Sequence, residues 1–191
     1  NRGIGKSIVE TFIENGASKV YLAVRDVSTT SALVEKYGDK VSPIELDMNQ
    51  PQTIVEAAKQ ATDVQILVNN AGLLKPTETL ASDAIESLQH ELTVNTFGLL
   101  RVAQAFAKSL KENEDTALVQ LNSVASIKNF DGLTTYSASK AASYSITQGL
   151  RDSLKPFNVS VLSVHPGPIN TDMAAQGGMT EIAEPPSVVA E

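Results

Sequence analysis

Ser123, Tyr136 and Lys140 are the residues of this chain whose types and spacing best suit acid–base chemistry. Tyr136 and Lys140 are four positions apart in a run of helix-forming residues, so they share one face of the predicted helix. A free tyrosine has a pKa of about 10, and a nearby cation lowers that pKa because it favours the phenolate. The pattern therefore predicts a phenol that gives and takes a proton near neutral pH.

A tyrosine and a lysine at this spacing occur on many helices without any function, so other features have to support the chemical interpretation. Among the four tyrosines, only Tyr136 is followed by a lysine four residues later. Ser123 directly follows the apolar run 117–122, where the end of a strand would present its hydroxyl at the carboxyl edge of a sheet. The combination favours a catalytic site.

This arrangement of a serine and a Tyr-x-x-x-Lys resembles the signature of the short-chain dehydrogenase/reductase family. The resemblance implies that Tyr136 is the general acid/base, that Lys140 lowers its pKa and holds the nicotinamide ribose, and that Ser123 hydrogen-bonds the substrate oxygen. The family also uses a helical asparagine to support a proton path through water to the lysine. Asn95, in the segment 94–98, matches that residue. Without the resemblance, Asn95 would be read as an ordinary polar residue or a helix irregularity.

The start of the chain has the composition of a phosphate-binding loop. Arg2, Gly3, Ile4 and Gly5 lead directly into a helical pattern over 4–15. Glycines let the backbone approach a pyrophosphate, and the free amides at a helix N-terminus carry partial positive charge. A short glycine pattern also occurs in turns for purely conformational reasons, so it gains weight only beside the catalytic pattern.

Gly3 and Gly5 match the last two glycines of the family pattern T-G-x-x-x-G-x-G. The Thr-Gly that opens this pattern, and the strand before it, are absent. The residues 184–191 resemble the opening of a helix, and the family's last strand is absent as well. We therefore expect this chain to be part of a longer protein and its sheet to lack the first and last strands.

The end of the strand predicted over 18–24 bears on the choice between NAD and NADP. An acidic residue there binds the ribose hydroxyls and repels a phosphate. Val24 stands where the family's NAD-dependent members place that acid, and Arg25 follows it. Guanidinium groups pair well with phosphate, so Arg25 and Arg2 predict NADP(H) rather than NAD(H). Asp26 adds a negative charge nearby, and Arg25 and Asp26 could also simply solvate a strand end.

Three further segments carry the family pattern at the ends of predicted strands. The resemblance implies that Asp47 meets the adenine amino group, that the N-N-A-G segment brings the backbone close to the cofactor, and that the P-G-x-I-x-T segment binds the nicotinamide carboxamide. His165, beside the last segment, is interpreted as structural. The candidate cofactor residues of the three segments are Asp47 and Met48; Asn69, Ala71 and Gly72; and Pro166, Gly167, Ile169 and Thr171.

The chain has 191 residues, of which 42% are hydrophobic, and nothing in it marks a linker or a repeat, so we expect one domain over 1–191. Apolar runs alternate with helical patterns, as in a parallel sheet covered by helices on both faces. The predicted class is α/β, with a doubly wound, Rossmann-like sheet in three αβα layers. The apolar runs lie at 18–24, 41–46, 64–69, 117–122 and 159–164, and the helical patterns at 4–15, 28–37, 51–61, 82–112 and 136–155.

Composition argues against several partners. The net charge of −7 disfavours nucleic acid, and no apolar stretch approaches the ~20 residues that span a bilayer. Without cysteine and with two separated histidines, no transition-metal site or disulfide is expected. The default location is the cytoplasm. The small residues of the helix 136–155 predict close packing against the sheet, and the family resemblance implies a homodimer or homotetramer.

Taken together, these features predict an NADP(H)-dependent oxidoreductase acting on a carbonyl or secondary alcohol of a small molecule. A protein that binds a dinucleotide without turning it over remains an alternative, although a sensor has no need of a tuned phenol. A sugar epimerase or dehydratase is the other alternative, because relatives of that kind also use Tyr-x-x-x-Lys.

Overall fold

The computed structural model describes residues 1–191 and contains five strands. All pairing between strands is parallel. Each strand lies within one of the five apolar runs, because these runs are bounded by turn residues and rich in β-branched side chains. The strands are β1 (Val20–Val24), β2 (Val41–Glu45), β3 (Ile66–Asn69), β4 (Ala117–Leu121) and β5 (Ser160–Val164).

Eight α-helices connect and flank the strands. The helix predicted over 82–112 is interrupted by a π-helical turn, Thr93–Gly98. The helices are α1 (Gly3–Glu14), α2 (Ser31–Tyr37), α3 (Pro51–Gln60), α4 (Ala84–Leu92), α5 (Leu99–Glu112), α6 (Thr134–Leu154), α7 (Asp172–Gln176) and α8 (Ser187–Ala190). None of them combines the length and the hydropathy needed to cross a bilayer.

The strands form two sheets, with the orders β1-β2 and β3-β4-β5. The predicted α/β class with parallel strands and flanking helices is confirmed. One detail differs from the picture of a single continuous sheet, because no backbone ladder joins β1 to β3. The register of β4 aligns Leu118 with Leu67 on one side and Val161 on the other.

Three buried apolar clusters hold the helices against the strands. One lies between β2, α3 and α5, one between β4, β5, α5 and α6, and one between α1, β1 and α2. Burial of such side chains stabilises the fold by roughly 1.5–3 kcal/mol each. Central members are Ile54 and Phe106 in the first cluster, Leu110 and Leu118 in the second, and Val9 and Leu22 in the third.

The parallel arrangement brings several polar residues to one edge of the three-stranded sheet. Asn69 ends β3, Ser123 follows β4, and His165 follows β5 directly. Since parallel strands end at the same edge, the segments that leave them meet there, as is typical of ligand sites in such sheets. The helix α6 packs across this edge through contacts with the turn after β4 and with β5.

Candidate active site

Tyr136 and Lys140 lie side by side near the start of α6, and both are buried. Their exposed fractions are 6% and 3%. The Lys140 ammonium is 5.9 Å from the centroid of the Tyr136 ring. A lysine is rarely buried without a partner, and here Nζ donates a hydrogen bond of 2.9 Å to the carbonyl oxygen of Leu121, the last residue of β4. This bond ties α6 to the strand that precedes Ser123.

Burial also sets the protonation behaviour of the two groups. It lowers the pKa of Lys140 to about 8, because the charged ammonium loses solvation. Burial raises the pKa of the Tyr136 phenol to about 12; the neighbouring Ser123 hydroxyl acts in the opposite direction, and the charge of Glu91 adds to the increase. In the protein alone, burial outweighs the other influences on the phenol, and the lowering of the Tyr136 pKa by Lys140 stays a prediction. Loss of solvation dominates, and the Leu121 carbonyl holds the amine.

Ser123 caps a short 3₁₀ turn, Val124–Ser126, so its position is fixed by local backbone. Its Oγ accepts a hydrogen bond of 3.1 Å from the amide of Ala125. The carbonyl oxygen of Ser123 accepts a hydrogen bond of 2.6 Å from the Ser126 hydroxyl. The hydroxyl hydrogen of Ser123 is left to point toward Tyr136 or toward an oxygen bound beside it.

His165 supports this turn from β5. Its Nδ1 lies 2.8 Å from the Ser126 hydroxyl, and its Nε2 lies 2.7 Å from the Ser163 hydroxyl. The ring also packs edge-on against Tyr144, with 4.7 Å between the ring centroids. Both ring nitrogens are engaged, so His165 has none available for Tyr136, and its contacts are those of a structural residue.

Asn95 lies on the π-helical turn and is 1% exposed. Its Oδ1 accepts a hydrogen bond of 2.8 Å from the Leu73 amide, and its Nδ2 donates bonds of 2.8 Å to the Leu73 carbonyl and 2.9 Å to Ser139 Oγ. The side chain thus joins the segment after the N-N-A-G motif to α6. Both amide hydrogens are used, so the side chain can offer only its Oδ1, as an acceptor, to a further group.

Gly72 marks the place where these residues converge. A Cβ atom placed there would lie 3.6 Å from Lys140 Nζ and 3.7 Å from Asn95 Oδ1. It would also lie 3.6 Å from Cε of Met173 in α7. The backbone of Gly72 therefore passes directly beside the lysine, and a larger side chain would fill the space there.

The glycine loop brings the N-terminus of α1 against the segments that follow β3 and β5. Gly3 has a φ of +48°, and a Cβ there would lie 2.9 Å from Cγ2 of Thr171. At Gly5, a Cβ would lie 2.9 Å from Nδ2 of Asn70. The first-turn amides of a helix have no partner within the helix, so this 12-residue helix presents hydrogen-bond donors at the sheet edge. Ile4 is part of this first turn.

The two arginines have different surroundings. Arg2 pairs with Asp172 through a contact of 2.6 Å between Nη1 and Oδ2, with both side chains about 70% exposed (72% and 70%). Arg25 is exposed, and its positive charge contributes to a lowered pKa of Asp47. Asp26 accepts hydrogen bonds from the amide and hydroxyl of Ser28 and caps the turn after β1. Its carboxylate is thus engaged locally, while Arg25 is available.

Asp47 and Met48, after β2, have separate roles. The amide and side chain of Asn49, and the side chain of Gln50, donate to the Asp47 carboxylate, which holds its pKa below the usual range. Met48 is 8% exposed and packs in the core with Ile54. The side chain of Met48 is therefore not available to a cofactor, and only its backbone is.

The other predicted cofactor residues surround the same edge. Asn69 is 4% exposed, and its Nδ2 donates to no group in the protein. The carbonyl of Pro166 accepts from the Val124 amide at 3.0 Å, so the segment with Gly167 and Ile169 lies beside the Ser123 turn. Thr171 caps α7 through its hydroxyl, at 3.4 Å from the Ala174 amide. Ala71 precedes Gly72 in the N-N-A-G segment.

Sequence reasoning missed two residues next to Tyr136. Leu74 is 4% exposed and packs with Tyr136 and Ala125. Glu91 is fully buried on α4, and its charge influences Tyr136. The available signal was the spacing of Ser87, Glu91 and Asn95, three polar residues four positions apart on one helix face.

Comparisons with known proteins identify the family of the chain. The family profile described as "short chain dehydrogenase" matches residues 1–181. The chain is 31% identical to an uncharacterized oxidoreductase of Staphylococcus saprophyticus over 90% of its own length and 76% of that protein. It is 29% identical to an NADPH-dependent aldehyde reductase-like chloroplastic protein of Arabidopsis thaliana, over 96% of this chain and 75% of that one.

A solved structure of a relative has the same fold. A short chain dehydrogenase from Burkholderia cenocepacia, in complex with NADP, superposes with a TM-score of 0.85 and 37% identity, over 91% of this chain and 71% of that chain. The fold, the matched profile and these relatives establish the family. The chain belongs to the short-chain dehydrogenase family of oxidoreductases.

Proposed function

We propose that this protein is an NADP(H)-dependent oxidoreductase that interconverts a carbonyl and a secondary alcohol of a small molecule. The observation that carries the proposal is the buried pair Tyr136 and Lys140 beside Ser123 at the carboxyl edge of a parallel sheet. Buried ionisable groups that converge in this way are typical of functional sites. Relatives described as NADPH-dependent and a neighbour in complex with NADP support the choice of cofactor.

The chain has residues that fit this cofactor. Gly3 has a positive φ and lies against Thr171, which favours glycine there, and the N-terminus of α1 offers amide donors to a pyrophosphate. Arg25 is exposed after β1, where a guanidinium can bind a ribose phosphate. The unpartnered Nδ2 of Asn69 offers a buried donor at the same edge. When bound, the reduced nicotinamide supplies the hydride.

Tyr136 is the proton donor in the direction of reduction. Its raised pKa of about 12 keeps the phenol protonated at neutral pH, which is the form that can give a proton to a carbonyl oxygen. Ser123 donates a hydrogen bond to the same oxygen and keeps it next to the phenol. In the direction of oxidation, Tyr136 must first give its proton to Lys140 or to water, and the phenolate then takes the proton of the alcohol held by Ser123.

Lys140 restores the proton and holds the ribose. With a pKa of about 8, its amine is mostly charged at neutral pH, with a minor neutral fraction. A group of this kind exchanges protons with water and with a neighbouring phenol efficiently. Asn95 keeps the Leu73 backbone and α6 in register, so that the space beside Gly72 and Lys140 stays open.

The substrate surface beside Tyr136 is apolar. Leu74, Ala125 and Tyr136 form a buried cluster, and the partly buried side chains of Met173 and Met179 pack against it. Methionine adapts its shape readily, so this wall accommodates apolar groups of different sizes. The substrate is therefore a carbonyl compound with at least one apolar substituent.

Two further features belong to this proposal. Exposed small residues on α6, Ala138 and Ala141, and the 49% exposed Phe97 offer a surface for pairing of subunits as a homodimer or homotetramer. The net charge of −7 disfavours nucleic acid as a partner. A cytoplasmic location is part of the same proposal.

A direct test is a panel of ketones and aldehydes mixed with the protein and NADPH, with consumption of NADPH followed by its absorbance. We expect turnover with aryl or long-chain carbonyls, and slower turnover with small polar ones. Tight binding of NADPH without turnover of any carbonyl would instead favour a dinucleotide sensor. Conversion of a nucleotide sugar without net loss of NADPH would favour an epimerase or dehydratase.

A further inference from the structure

Three polar residues on one face of α4 and the π-helical turn form a buried row. Ser87, Glu91 and Asn95 are four positions apart and have exposed fractions of 0%, 0% and 1%. Burial of so many polar groups on one stripe is costly unless each finds a partner. We call this row the polar ladder, and each of its members has a hydrogen-bond partner in one segment, residues 73–77.

Each member of the polar ladder holds an alternate residue of that segment. The Leu73 amide donates to Asn95 Oδ1 at 2.8 Å, and the Lys75 amide donates to Glu91 Oε1 at 2.9 Å. The hydroxyl of Thr77 donates to Ser87 Oγ at 3.1 Å. Four helical residues rise about 6 Å, and two residues of extended chain span about 6.6 Å. The two spacings match, so the segment 73–77 runs antiparallel to the helix with one bond per turn.

Leu74 lies between the bonded residues Leu73 and Lys75, and its side chain points away from the polar ladder. It packs with Tyr136 and Ala125 in a buried cluster. Since the backbone is fixed on both sides of Leu74, at Leu73 and Lys75, this side chain has little freedom to move away from the phenol ring. The polar ladder thus sets one wall of the space around Tyr136.

Glu91 differs from the other two members because it also faces α6. Its second carboxyl oxygen, Oε2, and the hydroxyl of Thr135, the residue before Tyr136, make no hydrogen bond of ordinary geometry, but the hydroxyl lies close enough to the carboxyl group to lower its pKa. Burial raises the pKa of Glu91, while the Thr135 hydroxyl and the Lys75 amide act in the opposite direction. Both unpartnered oxygens are thus part of the contact between α4 and the start of α6.

We propose that Glu91 is a positioning residue for Tyr136. It fixes the segment that carries Leu74 on one side of the phenol ring and the start of α6 on the other. This role rests on the proposed function, because it assumes that Tyr136 is the proton donor. It does not require Glu91 to touch the substrate or the cofactor. A carboxyl and an amide side chain of the same shape should both serve, since each offers an acceptor to the Lys75 amide.

The first test compares Glu91→Leu with Glu91→Gln, with the exposed Glu86→Leu on the same helix as the matched control. A reactive group displaced by about 1 Å can cost two orders of magnitude in rate, so we expect Glu91→Leu to lower kcat at least about tenfold. Glu91→Gln should restore kcat to within about threefold of wild type, and the Kd for NADPH should change less than about twofold in all three. Equal kcat values for Glu91→Leu and Glu91→Gln, whether normal or reduced, would overturn the proposal.

The second test does not depend on activity. Deuterium exchange of the Lys75 amide should be at least about tenfold faster in Glu91→Leu than in wild type, and within about threefold of wild type in Glu91→Gln. An unchanged Lys75 exchange rate in Glu91→Leu would overturn the role of Glu91 even if no substrate were found. Absence of turnover by the wild-type protein, with the exchange result as expected, would contradict only the proposed function.

A third variant covers the case in which Glu91→Leu does not fold. Thr135→Val has the same shape as wild type and removes only the hydroxyl that faces Glu91. We expect its kcat to fall about threefold or more with an unchanged Kd for NADPH, because the start of α6 loses its polar contact with α4. A wild-type kcat in Thr135→Val would contradict the proposed link between α4 and α6.

Discussion

At the catalytic end of the site, Tyr136, Lys140 and Asn95 are at most 6% exposed, whereas at the cofactor end the side chains of Arg2 and Asp172 are 72% and 70% exposed. Hydrogen bonds of the buried residues connect the π-helical turn, α6, the strand β4 and the segment at Leu73. The exposed pair is worth little, typically below about 1 kcal/mol, because water screens it. The comparison shows buried acid–base residues that are fixed by hydrogen bonds, and exposed charged residues at the cofactor end that are held only weakly.

The difference in exposure between the two ends of the site suits their different tasks. Proton transfer depends on distances within a few tenths of an ångström, so the catalytic end gains from burial and from bonds on every side. Binding and release of a cofactor require surfaces that open and close, and exposed arginines suit that task. Substitutions at the buried end should therefore change kcat, while substitutions at the exposed end should change the Kd of the cofactor.

The largest of these effects is expected for Lys140→Met, which replaces a buried ammonium by an apolar side chain of similar length. We expect kcat to fall by about 10²–10⁴, because the phenol loses its proton partner. The same change removes the cost of burying a charge, so the variant should be more stable than wild type at pH 7, by up to about 3 kcal/mol.

The difference in the free energy of unfolding between Lys140→Met and wild type depends on pH, because Lys140 has different pKa values in the folded and unfolded chains. The pKa of Lys140 is about 8 in the folded protein and near its usual 10.5 when unfolded, so between these values the unfolded chain binds more protons. Wild-type stability should therefore rise with pH relative to Lys140→Met, and the gap should close between pH 8 and 10.5. Denaturant titrations at several pH values measure it, and a gap that widens with pH would contradict a buried, destabilised ammonium.

A smaller loss of kcat is expected for Ser123→Ala, which is also at the catalytic end of the site. The variant removes the hydroxyl that we expect to hold the substrate oxygen, and it also removes the cap on the Val124–Ser126 turn. We expect kcat to fall about 10²-fold, as is typical when one donor to a reacting oxygen is lost, with the Kd of NADPH nearly unchanged. Ser123→Thr is the matched control, since it keeps the hydroxyl. Equal activity of the two variants would argue against this role.

The smallest effect is expected at the exposed end, for Arg25→Ala. Loss of one guanidinium–phosphate contact should raise the Kd of NADPH about tenfold and leave the Kd of NADH within about twofold. Titration of cofactor fluorescence measures both constants. The exposed Lys128→Ala, away from the glycine loop, serves as a control for general loss of positive charge. A Kd of NADPH that does not change would mean that Arg25 only solvates the end of β1.

Much of the fold follows from local patterns. The five apolar runs contain the five strands, and the glycines of the first turn of α1 are visible as composition. The π-helical turn around Asn95 was not predicted: residues 93–98 are weak helix formers, but weak propensity does not specify which irregularity forms. The turn is stabilised by bonds to Leu73 and Ser139, which are distant in sequence.

The pKa shifts of the site residues were harder to predict than which residues form the site. The spacing of Tyr136 and Lys140 indicates that they meet, but the direction of a pKa shift depends on how deeply each group is buried. That burial comes from Leu74, Ala125 and the start of α6, which pack together only in the folded chain. Likewise, the pairing of Arg2 with Asp172 joins residues from opposite ends of the chain.

The most direct test of the account is the comparison of wild type with Tyr136→Phe, which removes one oxygen atom and keeps the ring that packs against Leu74. With a carbonyl that the wild-type protein reduces, we expect kcat to fall below about one hundredth while the Kd of NADPH stays within about twofold. A variant that keeps most of its kcat with the phenol oxygen gone would contradict Tyr136 as the proton donor and, with it, the catalytic end described above.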